Sequence, residues 1–238
     1  MAFGGFITGS NGFSEGPLNV SLPVTGGPNK IVFFAGNIGE SGNPISSVTA
    51  GGTTMTRLDN TSGGRGLFAI VNPVENNGNV QFVMSKGGSG GGDGTAIAWY
   101  FTSPSATGWS DVQVVSSSTT TTADITNVTS DDFVTSVYIA GGTGRSVTIG
   151  ANQSEIATAL ALDNFGILVA SNKNGVGTVT HSYTWSGGTI FDPALMVAVR
   201  VVGANSESGN PETIKIRPTG GRNVLTIRPG TVNRMRIR

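Results

Sequence analysis

The chain is 238 residues long, has no cysteine, and sets 14 basic against 14 acidic groups with only 12% of residues charged. Without cysteine there are no structural disulfides, no thiolate metal sites and no thiol chemistry. The neutral total is a cancellation: residues 1–203 hold 7 basic and 12 acidic groups and residues 204–238 hold 7 and 2, so a body of net −5 precedes a segment of net +5, the asymmetry of an interaction tail.

The opening Met1-Ala2-Phe3-Gly4-Gly5-Phe6 has neither the basic n-region nor the apolar h-region of a secretory signal. No apolar run approaches the roughly 20 residues that cross a bilayer. Synthesis in a cytoplasm and no membrane partner are the expectations, yet the sparse charge and 37 glycines suit an extracellular or particle-bound β-protein with a surface of hydroxyls and amides. Residues 1–16 read as an N-terminal extension. Beyond them, short β-rich runs broken by Gly, Asn, Pro and Ser predict strands over 18–24, 30–35, 45–50, 53–58, 66–71, 79–84, 95–102, 112–116, 121–128, 133–140, 167–171, 178–185 and 195–202. This spacing predicts an all-β body over 17–202, an antiparallel sandwich or barrel. The run 154–161 fits either two helical turns or a strand. Ile31-Val32-Phe33-Phe34-Ala35 and Leu195-Met196-Val197-Ala198-Val199 are apolar at every position, which predicts central strands covered on both faces. In 179–185, Val179, His181, Tyr183 and Trp185 share one face and hydroxyls the other. The glycine-rich 86–94 reads as a long hairpin loop.

Chemical signatures are weak along this body. A Ser-His-Asp triad needs a histidine base, and the single histidine, His181, sits mid-strand among aromatic residues, the setting of a packed side chain. A glycosidase needs two carboxylates at a set distance, whereas the acids fall mostly in turns; Asp131-Asp132 reads as a solubilising strand entry. No His pair or Asp-rich calcium loop is present, and the glycines at 87–94 lack the Gly-Lys-Ser/Thr and helix of a phosphate loop. No catalytic residue, metal site or cofactor is expected. Trp109, in an apparent loop, and Trp185, at a strand end, are candidates for stacking on sugar rings, against the commoner role of core packing.

Several motifs recur in a familiar order: Val48-Thr49-Ala50-Gly51-Gly52 with Met55-Thr56-Arg57, Leu67-Phe68-Ala69-Ile70-Val71-Asn72-Pro73, Gly78-Asn79-Val80-Gln81-Phe82, Ala96-Ile97-Ala98-Trp99-Tyr100-Phe101, Asp131-Asp132-Phe133-Val134-Thr135-Ser136-Val137, Ser182-Tyr183-Thr184-Trp185 and Ala194-Leu195-Met196-Val197-Ala198-Val199. Over roughly 17–202 the chain resembles a jelly-roll-like β-sandwich domain of tailed-phage structural proteins and bacterial surface proteins. The resemblance implies attachment and display, with no shared active site to carry over.

After a polar linker at 203–212, residues 213–238 form a basic arm outside that resemblance. Ile214-Lys215-Ile216-Arg217-Pro218, Leu225-Thr226-Ile227-Arg228-Pro229 and Met235-Arg236-Ile237-Arg238 each alternate apolar and polar residues, predicting three short strands. Their arginines could contact phosphates, but no aromatic residue lies in the arm to stack bases and the Ile-x-Ile alternation suits an apolar partner. Protein contact, not nucleic acid, is therefore expected, through strand addition. The expected role is a non-enzymatic phage virion structural protein: a capsid decoration protein, head fibre or tail appendage, bound to other capsid or tail proteins or oligomerised through the arm, with a trimer favoured. The alternative is a carbohydrate-binding or adhesion module that recognises host glycans through Trp109 or Trp185.

Overall fold

The computed structural model describes residues 2–12, 17–25, 29–39, 43–61, 63–88, 92–103, 108–117, 120–143, 146–161, 166–187, 189–190, 194–203, 213–214 and 225–226. Among them every regular element is an antiparallel strand. The first half of the body contains β1 (Ala2–Gly12), β2 (Leu18–Pro23), β3 (Asn29–Ile38), β4 (Ile45–Ala50), β5 (Thr53–Thr54), β6 (Thr56–Arg57), β7 (Arg65–Val71), β8 (Asn79–Lys86) and β9 (Asp93–Ser103). The second contains β10 (Gly108–Ser117), β11 (Thr120–Val128), β12 (Phe133–Thr143), β13 (Ser146–Ile149), β14 (Ser154–Leu160), β15 (Gly166–Lys173), β16 (Gly177–Ser186), β17 (Thr189–Ile190) and β18 (Ala194–Val202). Two short strands follow, β19 (Thr213–Ile214) and β20 (Leu225–Thr226).

The body has four layers. Sheet I has the order β2-β8-β4-β5, sheet II β1-β9-β3-β7-β6, sheet III β10-β18-β12-β15-β14 with β17 beside β12, and sheet IV β11-β16-β13. Alternation along the inner strands explains the stack, because successive side chains leave opposite faces of a strand. Val32, Phe34, Ala98 and Tyr100 pack on sheet I, while Ile31, Phe33, Ile97, Trp99 and Phe101 meet Val137, Ile139, Leu168, Val197 and Val199 of sheet III. Tyr138, Val169, Met196 and Ala198, on the other face of sheet III, pack on Ile125, Val179 and Tyr183 of sheet IV. This is why β3 and β18 are apolar at both parities. Each such side chain, once fully buried, contributes about 1.5–3 kcal/mol. A polar tie crosses the interface between sheets II and III: Trp99 Nε1 donates to Thr135 Oγ1 at 3.0 Å, and that hydroxyl donates to the Ser171 carbonyl at 3.1 Å.

The span expected to form one sandwich is thus built as two. Within the first, strands pair in nested order, β1 with β9, β2 with β8, β3 with β7 and β4 with β5. The second repeats it with β10–β18, β11–β16 and β12–β15. Matching details recur. A bulge interrupts β1 between Phe3 and Gly5, opposite Tyr100 and Phe101, and another interrupts β10 between Ser110 and Gln113, opposite Ala198 and Arg200. Phe34 stacks on Phe82 at 5.4 Å, and Tyr138 on Tyr183 at 5.4 Å in the corresponding place. Across the middle interface β1 lies over β14, β3 over β15, and β7 over β12 and β18. Sheets II and III therefore stack with opposite strand orders, as a twofold relation between the halves places them.

Several expectations change. Residues 2–12, expected in an extension, supply the edge strand β1 of sheet II, and 53–58 splits into β5 and β6 on different sheets. The ambiguous 154–161 forms β14, in which Ile156, Ala157 and Ala159 are buried. β13, over Ser146–Ile149, has no counterpart among the expected strands.

Candidate functional site

The end of β18, where the predicted linker begins, is held by a set of buried polar contacts. Asp132, expected to be a solubilising strand entry, is instead buried, with 2% exposure. Its Oδ2 accepts the Thr129 N–H at 2.8 Å and the Thr129 hydroxyl at 3.0 Å, which closes the turn before β12. Its Oδ1 accepts the N–H of Gly203 at 2.9 Å. Gly203 follows β18, and a Cβ there would lie 2.1 Å from the Asp131 carbonyl oxygen, closer than any side chain can be accommodated against backbone. Three residues earlier, the buried Arg200 donates from Nε to Ser110 Oγ at 2.9 Å and from Nη1 to the Asn127 carbonyl at 2.6 Å. The same guanidinium lies 3.4 Å from Asp111 and 4.0 Å from Asp132. Asp111 and Asn127 have φ of 48° and 56°, left-handed conformations tolerated best by Asn and Asp, and each sits in the irregular stretch of its strand, β10 or β11. Arg200 thus ties both bulges and the Asp132 turn to the last strand of the body.

Of the arm itself, the backbone at two places is described: Thr213 pairs with Thr226 and Ile214 with Leu225, antiparallel. The first two predicted segments are thereby brought together as strands. Ile216, Arg217, Ile227, Arg228, Met235, Arg236, Ile237 and Arg238, and the linker at 204–212, lie outside the described residues.

The two candidate tryptophans do not meet at one platform. Trp109 lies within β10, not in a loop, and packs half-buried against the core between sheets II and III. Trp185, near the end of β16, packs half-buried against the core between sheets III and IV. Comparison with family models, with curated proteins and with solved structures found no match.

One cluster that sequence reasoning missed lies inside the second sandwich. His181 is fully buried, and its Nδ1 is 2.6 Å from Ser136 Oγ. Ser136 and Ser171 each lie 2.8 Å from the Tyr183 hydroxyl, and Gln153 Nε2 donates to Ser171 Oγ at 2.9 Å. Gln153 Oε1 in turn accepts the N–H of Ser182 at 2.7 Å. Burial, reinforced by the Lys173 charge, lowers the His181 pKa from 6.5 to about 3, so the ring is neutral. Burial likewise raises the Tyr183 phenol above its ordinary value, against the opposing hydrogen bonds from Ser136 and Ser171. A serine hydroxyl on an imidazole is the first contact of a triad, but here neither residue meets solvent and His181 Nε2 has no hydrogen-bond partner. The cluster fixes the register of β12, β15 and β16 by complementary hydrogen bonding. In the first half the corresponding places hold Val32, paired with Ile70 as Ser136 is with Ser171, and Val80, two residues before Phe82 as His181 is before Tyr183.

Proposed function

We propose that this chain is a non-catalytic structural protein of a phage virion, displayed as a rigid β body and attached or oligomerised through its basic C-terminal arm. The observation that carries this reading is the latch at Gly203. A segment of net +5 leaves a body of net −5 from a point held by Asp132, by the close approach to Asp131 and, through β18, by Arg200. Fixing the root of an arm limits the directions it samples and lowers the entropy lost when it docks. The alternating Ile-x-Ile-Arg segments suit strand addition to a capsid or tail protein, with main-chain hydrogen bonds supplying affinity and apolar side chains filling pockets. Three arms around a threefold axis satisfy the same chemistry among copies of the chain, with arginines facing the acidic neighbouring body. The glycan-binding alternative lacks comparable support, because Trp109 and Trp185 serve different cores.

The test compares the full chain with one ending at Gly203, by mass in solution and by co-sedimentation with undecorated particles. Loss of assembly or of attachment is the expected result. If truncation changes neither, the arm is not the attachment device and the reading fails.

A further inference from the structure

A sheet edge offers unpaired main-chain donors and acceptors to any passing strand, and proteins blunt such edges with charge, proline, bulges or brevity. The edges of this molecule can be compared one by one. β5 and β6 have two residues each, and β13 has four. β2 ends in Pro23. β10 carries Asp111 and a bulge, β11 carries Asp124 and an irregularity, and β14 carries Glu155 and a bulge. β1 stands apart. It has 11 residues, Ala-Phe-Gly-Gly-Phe-Ile-Thr-Gly-Ser-Asn-Gly, with no charge and no proline. Its bulge lies at the start, so Gly5–Gly12 keep an unbroken register with β9 along one side. On the face directed toward sheet III it exposes Phe6, at 49%, and Phe3, at 37%.

We infer that β1 is a self-pairing edge that joins two copies of this chain across a twofold axis, merging their two sheets II into one continuous sheet. Absence of charge is what a second copy of the same strand requires of its partner. In a twofold antiparallel pair each side chain approaches its own copy, so any charge near the axis meets its like and destabilises the pair. A charge-free strand meets this condition. The basic arm, by contrast, calls for an acidic acceptor, and β1 has none. A twofold axis perpendicular to the sheet pairs residues of the same face with each other, so the regular stretch centres on Thr8 or Gly9. Phe6 then covers Ser10 or Gly12 of the other copy, removing its exposed ring from water. The glycines of β1 serve the same geometry from within: a Cβ at Gly4 would lie 2.1 Å from the Tyr100 ring, and one at Gly9 2.7 Å from Val20. They let the strand sit close against its own core, and among the described residues no strand pairs with its outer edge. This contact is separate from the arm and multiplies by two whatever assembly the arm makes.

The test is the mass of the full-length protein at tens of micromolar by analytical ultracentrifugation. Thr8 is exposed, so Thr8→Lys leaves the folded chain intact, yet in either register it places two lysines opposite or diagonal to each other, their Cβ atoms within about 8 Å. The expected mass of Thr8→Lys and of Thr8→Glu alone is half that of the wild type, and mixing the two variants restores the wild-type mass. A Thr8→Lys mass equal to the wild type, or a mixture no heavier than its components, overturns the inference. Truncation at Gly203 leaves this twofold contact in place, so loss of the arm's assembly and loss of β1 pairing are read separately.

Discussion

Acidification perturbs one buried group whose behaviour follows from its surroundings. His181, on β16, meets β12 and β15 with Ser136 and Ser171 near its ring, Tyr183 sharing both serines, and Lys173 nearby. In the unfolded chain it takes up a proton near its ordinary value of 6.5, while in the native protein it resists until about pH 3. The folded value is depressed and the charged form is the disfavoured one. Stability from this residue is therefore complete above pH 6.5 and falls as pH drops toward 3, because the unfolded state binds the proton first. At pH 4.5, two units below the unfolded value, the loss is roughly 3 kcal/mol at about 1.4 kcal/mol per unit. A His181→Gln variant cannot take up the proton, so the difference in urea-unfolding free energy between wild type and variant shrinks by that amount between pH 7.5 and 4.5. Because this is the single histidine of the chain, its imidazole proton resonances in an NMR titration are assigned without ambiguity and should not move above pH 4. A native resonance that titrates near 6.5, or parallel pH profiles for the two proteins, would refute the reasoning.

Two further substitutions test the frame. Asp132→Ala strands the buried N–H of Gly203, costing about 1–3 kcal/mol, and the part-buried N–H of Thr129, costing less, and should lower the urea midpoint; Asp132→Asn, which keeps two of the acceptor contacts through one oxygen, should cost less. A midpoint shift below the equivalent of 1 kcal/mol for Asp132→Ala would show that the latch does not contribute to folding. Trp99→Phe removes the donor to Thr135 and opens space between sheets II and III, with an expected loss of about 2–4 kcal/mol; a near-neutral result would mean that the middle interface repacks freely.

Strand content was largely legible, and the layer arrangement was legible in part. Runs such as Ile31-Val32-Phe33-Phe34-Ala35 announced strands covered on both faces, which is what a stack of more than two sheets produces. The duplication stayed hidden because equivalent places hold different chemistry: Val32, Ile70 and Val80 in one half, Ser136, Ser171 and His181 in the other. What the halves share is pairing order and volume, and neither is written as residue identity. β1 escaped detection for a related reason. Its glycines lower strand propensity, and the gain that offsets them, pairing with β9 and close approach to Tyr100 and Val20, depends on residues far along the chain. At the arm, alternation marked strands at 214 and 225–226, but their pairing with each other was not written in it. The role of Asp132 could not be read locally, since its decisive partner, Gly203, is 71 residues away.

The latch at Gly203 also sets how the body bears load. Tension applied through the arm enters at Gly203 and runs along β18, which is bonded to β10 over 108–117 on one side and to β12 over 133–139 on the other. Pulled lengthwise, those two ladders stretch in shear and share the force among many hydrogen bonds at once, whereas a tether on an edge strand would peel them one after another. A pull along the arm would thus load the body through β18 rather than unzip it from an edge.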